Sequence, residues 1–265
     1  MATRKNTTPE KTIRKKTTAE PAIVVENAHK SFGRQVVHEG VNLSVPRGKK
    51  TVIVGPSGAG KSVLLKYILG LDQPDSGRVL IEGRQMNGAD DQSLEAIRSQ
   101  LGVVFQGAAL FDSRTIFDNV ALPLIEKTEL SSEEIEHKVM SQLKALQIDE
   151  AAAKFPSQIS GGMQKRAAMA RALVRDPQII LFDEPTTGLD PETQANIYDM
   201  LEATHERIGY TALIVSHDIP QIFRIADRIA ILHNRTLIDG VEPGKVQNAP
   251  SPWLKGILAE MKKWK

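Results

Sequence analysis

The chain has 265 residues, enough for one well-covered core or a core with a smaller satellite domain. Its formal net charge is only +2, so no global basic field points to nucleic acid, and the lack of cysteine excludes disulfides and thiolate metal sites. No run approaches the ~18 consecutive apolar residues of a membrane span, so any role at a membrane is expected to come through docking on another polypeptide.

The charge is uneven: residues 1–20 carry +4 and the remainder −2. That first stretch is rich in Thr and Lys with almost nothing apolar, so residues 1–21 are expected to form a disordered basic tail. It lacks the apolar segment of a secretory signal. Short β-rich runs follow at Ile23–Val25, Val36–Val37, Val41–Val45 and Thr51–Val54. Next comes Gly55-Pro56-Ser57-Gly58-Ala59-Gly60-Lys61-Ser62, a full G-x-x-x-x-G-K-S pattern, and then residues 62–69 with apolar side chains at helical spacing. Strand, loop and helix in that order make a phosphate cradle. Glycines let successive N–H groups turn inward, and the helix N-terminus adds partial positive charge. Lys61 can reach β- and γ-phosphates, and the Ser62 hydroxyl can ligate Mg²⁺.

Arg78–Ile81 reads as a further strand, with Glu82-Gly83 as its turn. From about residue 90 the texture becomes helical. Ser131 and Glu134 form a capping box, and Ile135, Val139, Leu143 and Leu146 line one face of the helix it opens. Ser160-Gly161-Gly162-Met163-Gln164 precedes the strong helix former 165–173. Alone it is an N-cap and a loop; its place 23 residues before Asp183 gives it weight. β signal returns at Gln178–Phe182, Thr211–Val215 and Arg228–Leu232, with helical segments between, which suggests parallel, doubly covered strands. The first of these ends in Asp183-Glu184, where a buried strand delivers carboxylates beside the phosphate loop. Asp183 is then placed for Mg²⁺ and Glu184 for polarising an attacking water. Near the end of the chain, Trp253, Leu254, Ile257, Leu258 and Met261 fall on one helical stripe.

With these motifs in this order, the chain resembles the ATP-binding cassette family over residues 22–243. The resemblance implies an α/β P-loop NTPase core with an antiparallel β subdomain and an inserted α-helical subdomain at about 94–172, followed by a C-terminal amphipathic helix or tail at 244–265. It implies ATP and Mg²⁺ as cofactors. The family signature LSGGQ stands here as Ile159-Ser160-Gly161-Gly162-Met163, so the fifth residue departs and Gln164 follows one place later. By the resemblance, Ser160 and its glycines contact the γ-phosphate held by a second subunit's loop. Gln106 matches the glutamine that senses Mg²⁺ and water, and His217 the histidine that steadies the γ-phosphate. Asp190 matches the residue coupling two sites, although Asp190-Pro191 is also an ordinary N-cap. Phe32 falls where an aromatic stacks on adenine; a core phenylalanine competes with that reading.

One set of motifs per chain implies a homodimer with two ATP molecules between head-to-tail copies. The family's membrane permease docks near residues 106–124, and the wording GAALFDS…IFDNVALPL, like Met163, resembles the Mla branch of bacterial phospholipid transporter ATPases, which work with MCE-domain proteins. The expected place is then the cytoplasmic face of the inner membrane, peripheral through the permease, with no nucleic-acid partner. Alternatives are the ATPase of a small-solute importer and a soluble cassette ATPase acting on nucleic acid or ribosomes.

Overall fold

The computed structural model describes residues 20–262, with side chains through residue 259. The tail expected before them lies outside the described residues, as does the side chain of Met261. β1 (Ile23–Phe32) and β2 (Gln35–Val45) pair antiparallel. β3 (Lys50–Val54) leads through the glycine-rich loop into α1 (Lys61–Ile68). β4 (Ser76–Ile81) and β5 (Arg84–Gln85) complete an antiparallel sheet of order β2-β1-β4-β5. The runs at Val36–Val37 and Val41–Val45 belong to one strand. His38, Glu39 and Gly40 break its apolar pattern, but His38 is fully buried and Gly40 (φ +70°) stands within the strand where the β1–β2 register is irregular.

α2 (Asp91–Arg98) precedes β6 (Leu101–Val104), and three helices follow: α3 (Ile116–Lys127), α4 (Ser132–Ala145) and α5 (Gly161–Leu173). Within the span expected to be helical, 94–172, the structure therefore contains a strand, β6, which pairs parallel with β7 (Ile179–Asp183). Its four residues are too few to show a period, and Gly102 weakens the strand signal. α6 (Pro191–Ile208), β8 (Thr211–Val215), β9 (Arg228–His233) and β10 (Thr236–Val241) follow, and α7 (Pro252–Lys262) ends the described chain. The second sheet has the order β10-β9-β3-β8-β7-β6, parallel except for β10 at its edge. The capping box at Ser131 forms in full.

Every residue of β3 and β8 is buried, as both faces of the parallel sheet are covered. Period two still sorts the side chains. Val52, Val54, Ile180, Phe182, Ala212 and Ile214 join the core beneath α3, α4, α5 and α6. Ile53, Ile179, Leu181, Leu213 and Val215 join the core shared with α1 and the antiparallel sheet. Asp239 of β10 ties the sheets together: it accepts from the Ser44 N–H at 2.9 Å and receives both arms of Arg228. α7 packs on its own chain, where Leu254 is buried and Trp253 stacks on His233. Among the described residues no helix is long and apolar enough to cross a membrane.

Candidate active site

β3, β7 and β8 are neighbours, and their C-terminal ends carry residues 55–62, Asp183-Glu184 and His217 to one edge of the sheet. The loop fits there because it has glycine where nothing larger fits. A Cβ on Gly55 would stand 2.2 Å from the Leu232 carbonyl oxygen. Gly60 is left-handed (φ +98°) and caps α1, and a Cβ on it would stand 2.6 Å from both His38 Nε2 and Val37. Two glycines attributed to phosphate chemistry are thus also demanded by packing. Pro56, Ser57, Gly58 and Ala59 complete the curl, closed by the Ala59 N–H on the Pro56 carbonyl at 3.2 Å.

Lys61 is buried and turned into that curl. Its Nζ donates to the carbonyls of Gly55 (2.9 Å) and Pro56 (3.0 Å). Burial lowers its pKa, and the nearby charges of Glu184 and Asp183 partly offset the effect. Ser62 Oγ lies 3.4 Å from Asp183 Oδ1. The Asp183 carboxyl is pushed up, first by burial and then by Glu184, against the pull of Ser62, Lys61 and Lys165. Among the described residues no group of three or more His, Cys, Asp or Glu side chains could hold a metal ion. Ser62 and Asp183 offer two hard oxygens side by side, which fits Mg²⁺ keeping most of its shell as water and phosphate oxygen.

Glu184 takes a left-handed backbone (φ +48°), a conformation costing a non-glycine residue on the order of 1–2 kcal/mol. Its N–H still donates to the Val215 carbonyl at 2.9 Å, so the strain is held by β8. The carboxylate is held from two sides. Oε1 lies 3.1 Å from His217 Nδ1, and Oε2 accepts from Thr187 Oγ1 at 3.0 Å. The turns carrying Glu184 and His217 are joined from below by Tyr198 of α6. Its buried hydroxyl contacts Thr186 Oγ1 (2.9 Å) and donates to Asp218 Oδ2 (2.8 Å). No local sequence pattern marks Tyr198.

Ser160 caps α5 by accepting from the Met163 N–H at 3.3 Å, with Gly161 and Gly162 in the first turn. Asp190 caps α6 through the Thr193 N–H (2.9 Å), and this hydrogen bonding, first from the Thr193 hydroxyl, holds its carboxyl below the usual range. The two motifs lie against each other, since Gly161 faces Leu189 and Gly162 faces Thr193. Among the described residues, no hydrogen bond or ion pair joins Ser160, Gly161, Gly162 or Met163 to residues 55–62. Phe32 is 51% exposed with Lys30 Nζ 5.2 Å from its ring centroid, so it is not a core residue. Gln106 follows β6 on the surface, and its carbonyl accepts from Lys165 Nζ.

Comparison with known proteins agrees with this geometry. The sequence profile of the family described as ABC transporter matches residues 38–187. The chain is 38% identical over 226 residues to the intermembrane phospholipid transport system ATP-binding protein MlaF of Escherichia coli strain K12, covering 85% of this chain and 84% of that protein. It is 42% identical over 217 residues to the probable ribonucleotide transport ATP-binding protein mkl of Mycobacterium leprae strain TN, covering 82% of this chain and 62% of that protein. Among solved structures, an ATP-binding cassette captured as a dimer in a post-hydrolysis state with ADP and Pi superposes with a TM-score of 0.75 at 36% identity, over 83% of this chain and 98% of that one.

Proposed function

The chain belongs to the ABC transporter family, and from that premise we propose that it is the ATP-hydrolysing subunit of a membrane transporter whose cargo is phospholipid. The observation that carries the ATPase is the meeting of Lys61, Ser62, Asp183, Glu184 and His217 at one sheet edge. Gly55 to Ser62 cradle the phosphates of ATP, with Lys61 on the β- and γ-groups. Ser62, Asp183 and Gln106 would hold Mg²⁺, which would offset the charge of the phosphates. Glu184 takes the proton of the attacking water as that water's oxygen bonds to the γ-phosphorus and the bond to ADP breaks. His217 fixes the carboxylate and faces the γ-phosphate. Phe32, at the exposed end of β1, stacks on adenine.

The phosphate loop has no bond to Ser160-Gly161-Gly162-Met163 of its own chain. A second copy, placed head to tail, supplies that helix N-terminus to the γ-phosphate, with Asp190 beside it; the dimeric cassette with ADP and Pi supports this assembly. The permease docks near residues 106–124, where Phe111 is 51% exposed, and an MCE-domain lipid-binding protein completes the system. The subunit is then peripheral on the cytoplasmic face of the inner membrane. The phospholipid cargo is supported by the likeness to MlaF along both chains.

Affinity purification of the tagged chain from its native membranes tests the reading, with mass spectrometry of co-purifying chains and lipids. A permease, an MCE-domain protein and bound phospholipid are expected. A permease with a solute-binding protein would move the cargo to small solutes, and no membrane partner would return the chain to soluble ATPases.

A further inference from the structure

Lysine is almost never fully buried unless paired, yet Lys165 is only 7% exposed in α5. Its Nζ donates to the main-chain carbonyl of Gln106, 59 residues earlier. Burial lowers its pKa, and the charges that oppose this are Glu184 and then Asp183. Asp183 in turn feels Lys165 as a cation. One ammonium therefore joins the helix capped by Ser160 to the backbone that carries Gln106.

The loop it holds is not relaxed. Ala108 and Ala109 both adopt left-handed backbone (φ +61° and +50°), which costs about 1–2 kcal/mol per non-glycine residue. The same helix satisfies these alanines too. Arg171 donates through Nη2 to the Ala108 carbonyl (2.8 Å) and through Nη1 to the Ala109 carbonyl (2.6 Å). Two cations of α5 thus take three carbonyls of one irregular segment. Arg171 fixes its strained turn, and Lys165 fixes the main chain of Gln106, the residue proposed above to help hold Mg²⁺.

We infer that Lys165 is a positioning residue of the ATP site, pinning the Gln106 main chain to α5 so that the Gln106 side chain keeps its distance from Asp183 and Glu184. The inference rests on the ATPase reading of that site. A charged donor at this depth costs more to bury than a neutral side chain, and the carboxylates of Glu184 and then Asp183 offset that cost only in part.

The test compares the full chain with Lys165→Met, which keeps most of the stem but loses donor and charge, and with Lys165→Arg, which keeps both. Without nucleotide, amide exchange of residues 106–110 should speed up by about tenfold in Lys165→Met, as expected for loss of a charge-assisted hydrogen bond, and return towards wild type in Lys165→Arg. The kcat for ATP should fall by about tenfold in Lys165→Met while nucleotide affinity changes little, with recovery in Lys165→Arg. Wild-type exchange in Lys165→Met would overturn the inference. So would faster exchange with unchanged kcat, or ATP affinity lost in step with kcat. If Lys165→Met does not fold, Lys165→Gln is measured in the same two assays. An inactive wild-type chain would sink the ATPase reading, while the exchange comparison would still decide the Lys165 contact.

Discussion

Burial lowers the pKa of Lys61, and the two carbonyls it bonds are neutral. A phosphate offers it the full opposite charge. Lys61→Ala should therefore weaken ATP binding by about 10- to 100-fold, the worth of one charge-assisted hydrogen bond, as read by nucleotide titration. Normal ATP affinity in that variant would contradict the phosphate role. His38 makes a different case. Its buried ring bonds Tyr67 OH through Nδ1 at 2.9 Å and turns Nε2 towards Gly60. Burial pushes its pKa from 6.5 down to about 4, against a smaller opposing effect from the Gly60 backbone. The folded state thus keeps the ring neutral where the unfolded chain protonates it. The stability this contributes is present above pH 6.5 and is lost as pH falls towards 4, by up to about 3 kcal/mol. Urea unfolding at pH 7 and pH 4.5 should show a steeper loss for the wild type than for His38→Gln. An equal loss in both would remove His38 as the cause. Neither His38 nor Tyr198 nor Lys165 stands out in the sequence, because each matters through a partner at least 12 residues away.

At the scale of elements, the strands that read cleanly were those whose apolar run is continuous: β3, β7, β8 and β9. The Ser131 cap was equally plain because its two hydrogen bonds lie within three residues. β6 and β10 escaped for one shared reason. Gly102 is needed because α5 passes so close that a Cβ would meet the Ala172 carbonyl at 2.7 Å, and Asp239-Gly240 reads as a turn until Ser44 and Arg228 are seen to bond Asp239. The irregular stretch from Gln106 to Thr115 is likewise shaped from outside. Asn119 of α3, fully buried, accepts from the Phe111 N–H (2.7 Å) and donates to the carbonyls of Phe111, Arg114 and Thr115. Asn119→Ala leaves those buried groups unpaired. It should destabilise the chain by about 2–3 kcal/mol in urea unfolding, far above a surface change. A loss below about 0.5 kcal/mol would mean that the loop holds its shape without this side chain.

For the whole molecule, the decisive observation is that, among the described residues, the groups proposed as two halves of an ATP site are not joined within one chain. Residues 55–62 and Ser160–Met163 share no bond, while Glu184 and His217 are already paired beside the phosphate loop. In the proposed dimer ATP is the link between copies, and its hydrolysis removes that link. Glu184→Gln separates these two steps. The amide keeps an oxygen for Thr187 or His217 and keeps the cradle intact, but it takes a proton poorly. Turnover should fall by about 10²–10⁴-fold with ATP affinity retained. Sedimentation should then show the variant as a dimer at saturating ATP and a monomer without it, because the closed state no longer decays. Adding Lys61→Ala to the same chain should raise the ATP concentration needed for the dimer by about 10- to 100-fold, since it weakens the binding of the nucleotide that joins the copies. A Glu184→Gln chain that hydrolyses at the wild-type rate would end the general-base role. One that stays monomeric with ATP bound would require the two half-sites to be joined by something other than a second copy.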